Sequence, residues 1–192
     1  MASPVVELLA ALDSALQSLG IRWYVFGAQA AIVHGAARLT ADVGATIDVG
    51  ERSVAELTKA LSRRGFEPRI DDVGEFVART RVFPAIHRAT QMGVDLVLAG
   101  TGIEELFFER SQRHVMEGVK IPVASPEDVV AMKVLAGRNK DLDDVSAIVA
   151  AQGSALDLTL IRDTLRDLET ALDRSDLVRL FEAVLARGER SD

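Results

Sequence analysis

Two aspartates stand where a carboxylate is costly and therefore informative. Asp42 heads the β-branched run Asp42-Val43-Gly44-Ala45-Thr46-Ile47-Asp48, and Asp95 lies inside Val94-Asp95-Leu96-Val97-Leu98. An acid within an apolar strand is disfavoured by propensity and by desolvation. Asp95 is therefore expected at a sheet edge, in an ion pair or on a ligand. Such oxygens suit a hard cation: Mg2+ takes one or two carboxylates at about 2.0–2.1 Å and fills its shell with water and substrate phosphates. Two carboxylates holding one ion from one strand stand two residues apart, on the same face. The position two after Asp42 is Gly44. Asp48 shares that face but lies roughly 20 Å along a strand rising about 3.3 Å per residue, whereas two ions of one reaction centre sit about 3.5–4 Å apart. It is expected as a solvated strand-end residue.

A second group lies near the middle of the chain. Ser125-Pro126-Glu127-Asp128 combines an N-cap serine, a proline at the first helical position and an acid three residues after the cap. On the helix that follows, Met132 is expected in the core and Lys133 beside it, by default as a snorkelling surface lysine. Asp141 falls in the first turn of the next helix, where an acid complements the dipole. Asp144 lies one turn on, within i,i+4 reach of Lys140. Gly27-Ala28, at a strand-to-helix turn, offers backbone N–H groups to an anion such as a triphosphate. His34, His87 and His114 show no ligand spacing and read as structural or surface residues, and no Ser/His/Asp frame is visible.

The elements that must position these residues follow from periodicity. Val5, Leu8, Leu9, Leu12, Leu16 and Leu19 recur at helical spacing before Gly20. Trp23 to Phe26 reads as a strand, Ala28 to His34 as a helix ended by Gly35, and Asp42 to Val49 as the second strand. Ser53 caps a helix with Val54, Leu57 and Leu61 on its apolar face, closed by Gly65. Strands are expected at Phe66 to Ile70, Val82 to Ile86 and Val94 to Leu98. A helix follows at Gly102 to Arg110, then a hairpin through Val115 and Val119 to Val123 around Glu117-Gly118. From Ser125 onward only helices are expected: one to Gly137, then Asp141 to Ala151, Leu158 to Leu172 and Ser175 to Arg187. Residues Gly188 to Asp192 are expected to fray. Strands with helices first and helices alone afterwards indicate an α+β fold. The division is an α/β core over residues 1–124 and a helical C-terminal part over 125–192 packed on it.

Bulk properties narrow the function. The chain has 192 residues, no cysteine and 48% hydrophobic residues, enough for a sizeable core without disulfides or thiolate metal sites. Met1-Ala2-Ser3-Pro4 lacks the pattern of an export signal, and no apolar run approaches the roughly 20 residues of a membrane helix. No membrane partner and a cytoplasmic location are expected. The net charge of −7 argues against broad polynucleotide binding. Arg63, Arg64, Arg69, Arg79, Arg81 and Arg88 cluster in sequence, but Glu67, Asp71, Asp72 and Glu75 balance them as a solvated face.

Taken in order, Tyr24-Val25-Phe26-Gly27-Ala28-Gln29-Ala30, His34-Gly35, Arg38-Leu39-Thr40-Ala41-Asp42, Val94-Asp95-Leu96-Val97, Ser125-Pro126-Glu127-Asp128 with Lys133, and Arg138-Asn139-Lys140-Asp141-Leu142-Asp143-Asp144 resemble the abortive-infection-type (AbiEii-like) nucleotidyltransferases of the DNA polymerase β-like superfamily. The resemblance spans roughly residues 20–150. It implies a nucleotidyltransferase-like mixed sheet flanked by helices, and magnesium-dependent transfer of a nucleotide from a nucleoside triphosphate to RNA (tRNA) or protein. It further implies a toxin of a toxin–antitoxin pair with a cognate antitoxin. Carried over, Asp42 and Asp95 ligate the metal, Asp95 also activates the acceptor, and Gly27 and Ala28 cradle phosphates. Lys133 contacts phosphate; Arg38 and Thr40 position the loop; Asp141 and Asp144 frame the nucleotide or brace Lys133. The family pattern is Arg-x-Thr-x-Asp-x-Asp, and Gly44 stands at its second Asp. Loss of one of three acids implies activity lower by orders of magnitude. In sequence terms Gly44 packs nothing and weakens its strand. The alternative is a catalytically inactive nucleotide-binding pseudoenzyme or a protein-interaction module.

Overall fold

The computed structural model describes residues 2–100 and 102–188. The chain forms two compact units. One comprises Met1–Gln29 and Thr40–Val123, the other Ala30–Leu39 and Ala124–Asp192. A single cut after residue 124 therefore does not separate them, because the segment 30–39 belongs with the helices. Of the residues expected to fray, Gly188 is the last residue of a helix, and 189–192 lie outside the described residues.

The first unit is built on a seven-stranded sheet. Its strands are β1 (Arg22–Phe26), β2 (Val43–Asp48), β3 (Phe66–Pro68), β4 (Val82–His87), β5 (Met92–Leu98), β6 (Gln112–Met116) and β7 (Val119–Val123), in the order β3-β4-β5-β2-β1-β7-β6. The β2/β5 and β1/β7 pairs are parallel and the others antiparallel, so the sheet is mixed. Trp23, Val25, Ala45, Ile47, Val94, Leu96 and Phe83 alternate onto one buried face. Helix α1 (Pro4–Ser18) lies against β1, β5 and β7, with Leu8, Leu9, Leu12 and Leu16 fully buried. Asp13 on α1 accepts a hydrogen bond from Trp23 Nε1 at 3.1 Å, fixing which face α1 covers. Helix α3 (Val54–Ser62) begins in a capping box between Ser53 and Glu56 and abuts β3.

The opposite face carries Arg22, Tyr24 and Phe26 of β1 beside Asp48, Thr46 and Gly44 of β2. Helix α5 (Ile103–Arg110) covers one end of it, where Phe108 meets Tyr24 edge-on at 5.0 Å between centroids. Asp48 is not simply solvated: Arg22 binds it at 2.7 Å and also Glu105, and these hydrogen bonds hold both carboxyls below their ordinary range. Helix α4 (Val73–Thr80) occupies a stretch to which the sequence pattern assigns no element. Its only buried residue is Val77, and it ends on Arg81 in the left-handed region.

Helix α2 (Gly27–Val33) runs directly on from β1. Gly27 makes the turn at φ +69°, a conformation costly for a residue with a Cβ. In the second unit, α6 (Pro126–Ala136), α7 (Asn139–Gln152), α8 (Leu158–Leu172) and α9 (Leu177–Gly188) pack on one another. Their core holds Val129, Val134, Ile148, Ile161, Leu165 and Phe181. Gly35, at φ +115°, brings the segment 30–39 so close to Ala151 that a Cβ would collide with it. His34 adds a 2.7 Å hydrogen bond to the Ala124 carbonyl, and Gln152 donates to the His34 carbonyl.

Candidate functional site

The ladder explains how Asp42 and Asp95 come to one place. In the parallel β2/β5 pair Val43 sits opposite Val94 and Gly44 opposite Asp95. Asp42, Gly44 and Asp95 thus share the face opposite the α1-covered core. Asp42 and Asp95 both line a cleft of about 300 Å3 with Arg69, Gln91 and Gly93. Both acids are exposed. Of the three possibilities for Asp95, an ion pair is realised: Arg69, just past β3, donates to its carboxylate. Asp42 is held through its backbone, whose N–H bonds Thr40 Oγ1 at 3.1 Å, while the Thr40 carbonyl accepts from Gln29 Nε2 at 3.2 Å.

Gly44 does pack something. Its antiparallel partner on the other side is Phe26. A Cβ on Gly44 would meet the Phe26 ring at 3.0, 3.2 and 3.4 Å, so the ring lies over the bare backbone. An aromatic laid across a strand glycine recovers buried surface that the glycine itself does not supply. The sequence expectation of an idle, weakening residue is corrected on this point. Gly93 is the counterpart on β5: a Cβ there would lie 3.0 Å from Arg69 Nη1 and 3.4 Å from its Cζ. Two glycines on one face are thus overlain by Phe26 and Arg69.

These residues fit a divalent-metal centre poorly. Among the described residues no three His, Cys, Asp or Glu side chains gather for an ion. Of the two acids in the cleft, one is already neutralised by a guanidinium. The third position of the carboxylate set has no side chain, and a ring covers it.

The second unit holds a buried charge cluster. Lys133 is 4% exposed, so the snorkelling lysine is not what forms; Met132 is half-buried and the lysine turns inward. Its ammonium donates to Asp144 Oδ2 at 2.6 Å and Asp141 Oδ1 at 3.3 Å. Arg38 adds a 2.7 Å bond to Asp144, and Arg138 binds Asp141 at 2.5 Å. Asp144 therefore pairs with Lys133 and Arg38, while Lys140 stays exposed, which corrects the expected i,i+4 pair. Burial opposes ionisation of Asp141, but hydrogen bonds from Arg138 and Lys133 outweigh it and hold the carboxyl below its ordinary range.

Two of the clustered arginines are neutralised by carboxylates and two are tied to neutral groups. Arg88 pairs with Glu67, Arg64 bonds Ser18 and the Ala60 carbonyl, Arg81 bonds the Leu98 carbonyl, and Arg69 is on Asp95. His34 and His87 are buried and hydrogen-bonded as structural residues. What sequence reading missed is Arg69 as a neighbour of Asp95, and Phe26 as the cover of Gly44. Only strand register brings them there. A larger cavity of about 810 Å3 among α7, α8 and α9 is lined mainly by apolar residues such as Leu142, Leu158 and Val184.

No family model matches the chain, and no curated protein sequence matches it. Solved structures do. The antibiotic-resistance factor ANT(2'')-Ia aligns with a TM-score of 0.61 at 15% identity, over 90% of this chain and 95% of that one. An antigenic nucleotidyltransferase-like protein from Paracoccidioides brasiliensis gives 0.52 at 19% identity, over 92% and 91%. The lincosamide antibiotic adenylyltransferase LnuA, lincomycin-bound, gives 0.50 at 13% identity, over 76% and 96%. At such identities the likeness concerns the fold, and the fold of this chain is that of the nucleotidyltransferases.

Proposed function

We propose that the chain is a nucleoside triphosphate-binding protein of the nucleotidyltransferase fold in which nucleotidyl transfer is strongly attenuated. The observation carrying this reading is the ladder pair Gly44–Asp95 with Asp42 on the same face: an acidic set one member short, its place under Phe26. In nucleotidyl transfer an acceptor hydroxyl oxygen bonds to the α-phosphorus, the bond to the pyrophosphate oxygen breaks, and the hydroxyl proton passes to a base. The residue that the resemblance assigns to that proton is Asp95, and its carboxylate is already engaged by the Arg69 guanidinium. Positioning and electrostatics supply most of such catalysis, so these losses translate into orders of magnitude.

In this reading Gly27 and Ala28 cradle the triphosphate, and Thr40 positions the backbone that carries Asp42. Lys133 with Asp141 and Asp144 braces Arg38 rather than touching phosphate, because its ammonium is already enclosed by two carboxylates. The toxin role, its antitoxin and an RNA (tRNA) or protein acceptor are carried from the sequence resemblance alone. LnuA is described with lincomycin bound, so small hydroxylated molecules belong in the acceptor panel. Among the described residues no helix is long and apolar enough to cross a membrane; the cytoplasmic location is carried from the sequence reading alone.

Calorimetry with ATP, CTP, GTP and UTP tests binding; saturable binding of at least one is expected, and none would overturn the reading. Incorporation of α-labelled nucleotide with Mg2+ into tRNA, protein and lincomycin tests transfer. Background incorporation is expected for the wild type and a rise for Gly44→Asp. Induced expression in a bacterial host is expected to slow growth for Gly44→Asp and not for Gly44→Asp with Asp42→Ala.

A further inference from the structure

We propose that Arg69 is the built-in counter-cation of the Asp42–Asp95 cleft: its guanidinium holds on Asp95 the place that a divalent ion would need, so with two carboxylates alone this face resists metal binding while Arg69 is in place. Two separate features converge on this. Arg69 is ion-paired with Asp95, which stands in an interior strand with no edge to escape to. Arg69 also reaches Asp95 by lying flat over Gly93, where the smallest side chain on that glycine would press on Nη1 and Cζ. The same face bears a second bare position, Gly44, overlain by Phe26. The face is thus built to admit a guanidinium beside one carboxylate, while Asp42 remains exposed across the cleft.

Charge decides the consequence. With Arg69 in place the cleft carries two carboxylates and one guanidinium, a net −1, and an arriving divalent ion meets a fixed positive charge within contact distance of the ligand it needs. Without Arg69 the same cleft carries −2 and a free Asp95.

The inference uses the cleft of the proposed function, but its test needs no nucleotide. Mn2+ alone is titrated, with free ion read by its paramagnetic resonance, into the wild type, Arg69→Gln and Arg69→Ala. The wild type is expected not to saturate at millimolar ion, and Arg69→Gln to bind about tenfold tighter or more. Arg69→Ala, which removes the guanidinium with the rest of the side chain, is expected to move the same way. Asp42→Ala added to Arg69→Gln is expected to abolish the gain, which ties the ion to this cleft. Equal Mn2+ affinity in the wild type and Arg69→Gln overturns the proposal. Should Arg69→Gln fail to melt cooperatively, Arg69→Ala against the wild type decides on the same criterion. If Arg69→Gln gains the ion while no triphosphate binds, the function falls and this inference stands.

Discussion

Gly44 and Lys133 carry opposite lessons about single residues. A glycine inside a strand was readable as a gap in an acidic pattern, because the spacing of Asp42 and position 44 is local. What fills the gap was not readable. Phe26 and Arg69 arrive through the β1/β2 pairing and across β5, and register is fixed only when the sheet assembles. Gly44→Asp must move the Phe26 ring by a few tenths of an ångström and sets a third carboxylate beside Asp42 and Asp95. It is expected to cost about 1–3 kcal/mol without metal, read by urea unfolding, with part regained in millimolar Mg2+. Lys133 was readable only as an ordinary lysine, since helical spacing does not say which of two adjacent residues turns inward. Removing one partner of a buried ionic group costs about 3–5 kcal/mol. Lys133→Met leaves Arg38 and Arg138 on the two acids and is expected near the lower end of that range. The lowered pKa of Asp141 adds a pH signature. Its ionised form favours the fold, so this contribution is full above the ordinary carboxyl pKa near 4 and is lost as pH falls through the folded value. In Asp141→Asn the acid limb of the stability curve is expected to flatten over that window.

At the scale of elements, caps and punctuation were legible and short amphipathic pieces were not. Ser53, Ser125 and Pro126 announced α3 and α6, and Gly35 announced the end of α2, each by a local rule. Helix α4 escaped because it buries one residue, carries Gly74 in its first turn and has no side-chain cap bond at Asp72. The two turns around α2 rank by mechanism. Gly27→Ala faces only the left-handed conformation, with open space around a Cβ, and is expected to cost about 1–2 kcal/mol. Gly35→Ala adds a collision with Ala151 and is expected to cost clearly more in the same denaturant series. The β3/β4 pair carries a separate titration. His87 stacks on Phe66 with centroids 4.8 Å apart, and burial pushes its pKa below the ordinary value near 6.5, the carboxylate of Glu7 opposing this more weakly. The neutral ring favours the fold. Its contribution is full above pH 6.5 and is lost as pH falls through the depressed value. Melting temperature is expected to drop between pH 7 and 5 in the wild type and to drop less in His87→Phe, which keeps the stacking and removes the proton site.

The whole molecule is where a linear reading of the chain is most incomplete. The change from strands with helices to helices alone was visible at Ser125, yet the second compact unit also takes Ala30–Leu39 from far upstream. Nothing in residues 30–39 advertises that membership, because the contacts made there are point contacts of particular side chains. His34 bonds the Ala124 carbonyl, Arg38 bonds Asp144, and Gly35 admits Ala151. The helical unit is therefore discontinuous in sequence, and a fragment cut at residue 124 is missing part of its own core. Residues 124–192 made alone lack the arginine that faces Asp144 and the imidazole on the first carbonyl of the unit. Asp144 keeps Lys133 but loses its second cation, and a lost hydrogen bond at a buried group costs about 0.5–1.5 kcal/mol, on a fragment with few such increments to spare. The fragment is expected to show helical circular dichroism with a broad, low-temperature melt. Joining residues 30–39 to its N-terminus through a flexible glycine-serine linker is expected to sharpen and raise that melt. The same joined fragment with Arg38→Ala is expected to lose part of the gain, because it forfeits the Asp144 contact and keeps the others. If 124–192 alone already melts as cooperatively as the joined fragment, the segment 30–39 adds nothing to the stability of the helical unit and the discontinuous division is wrong.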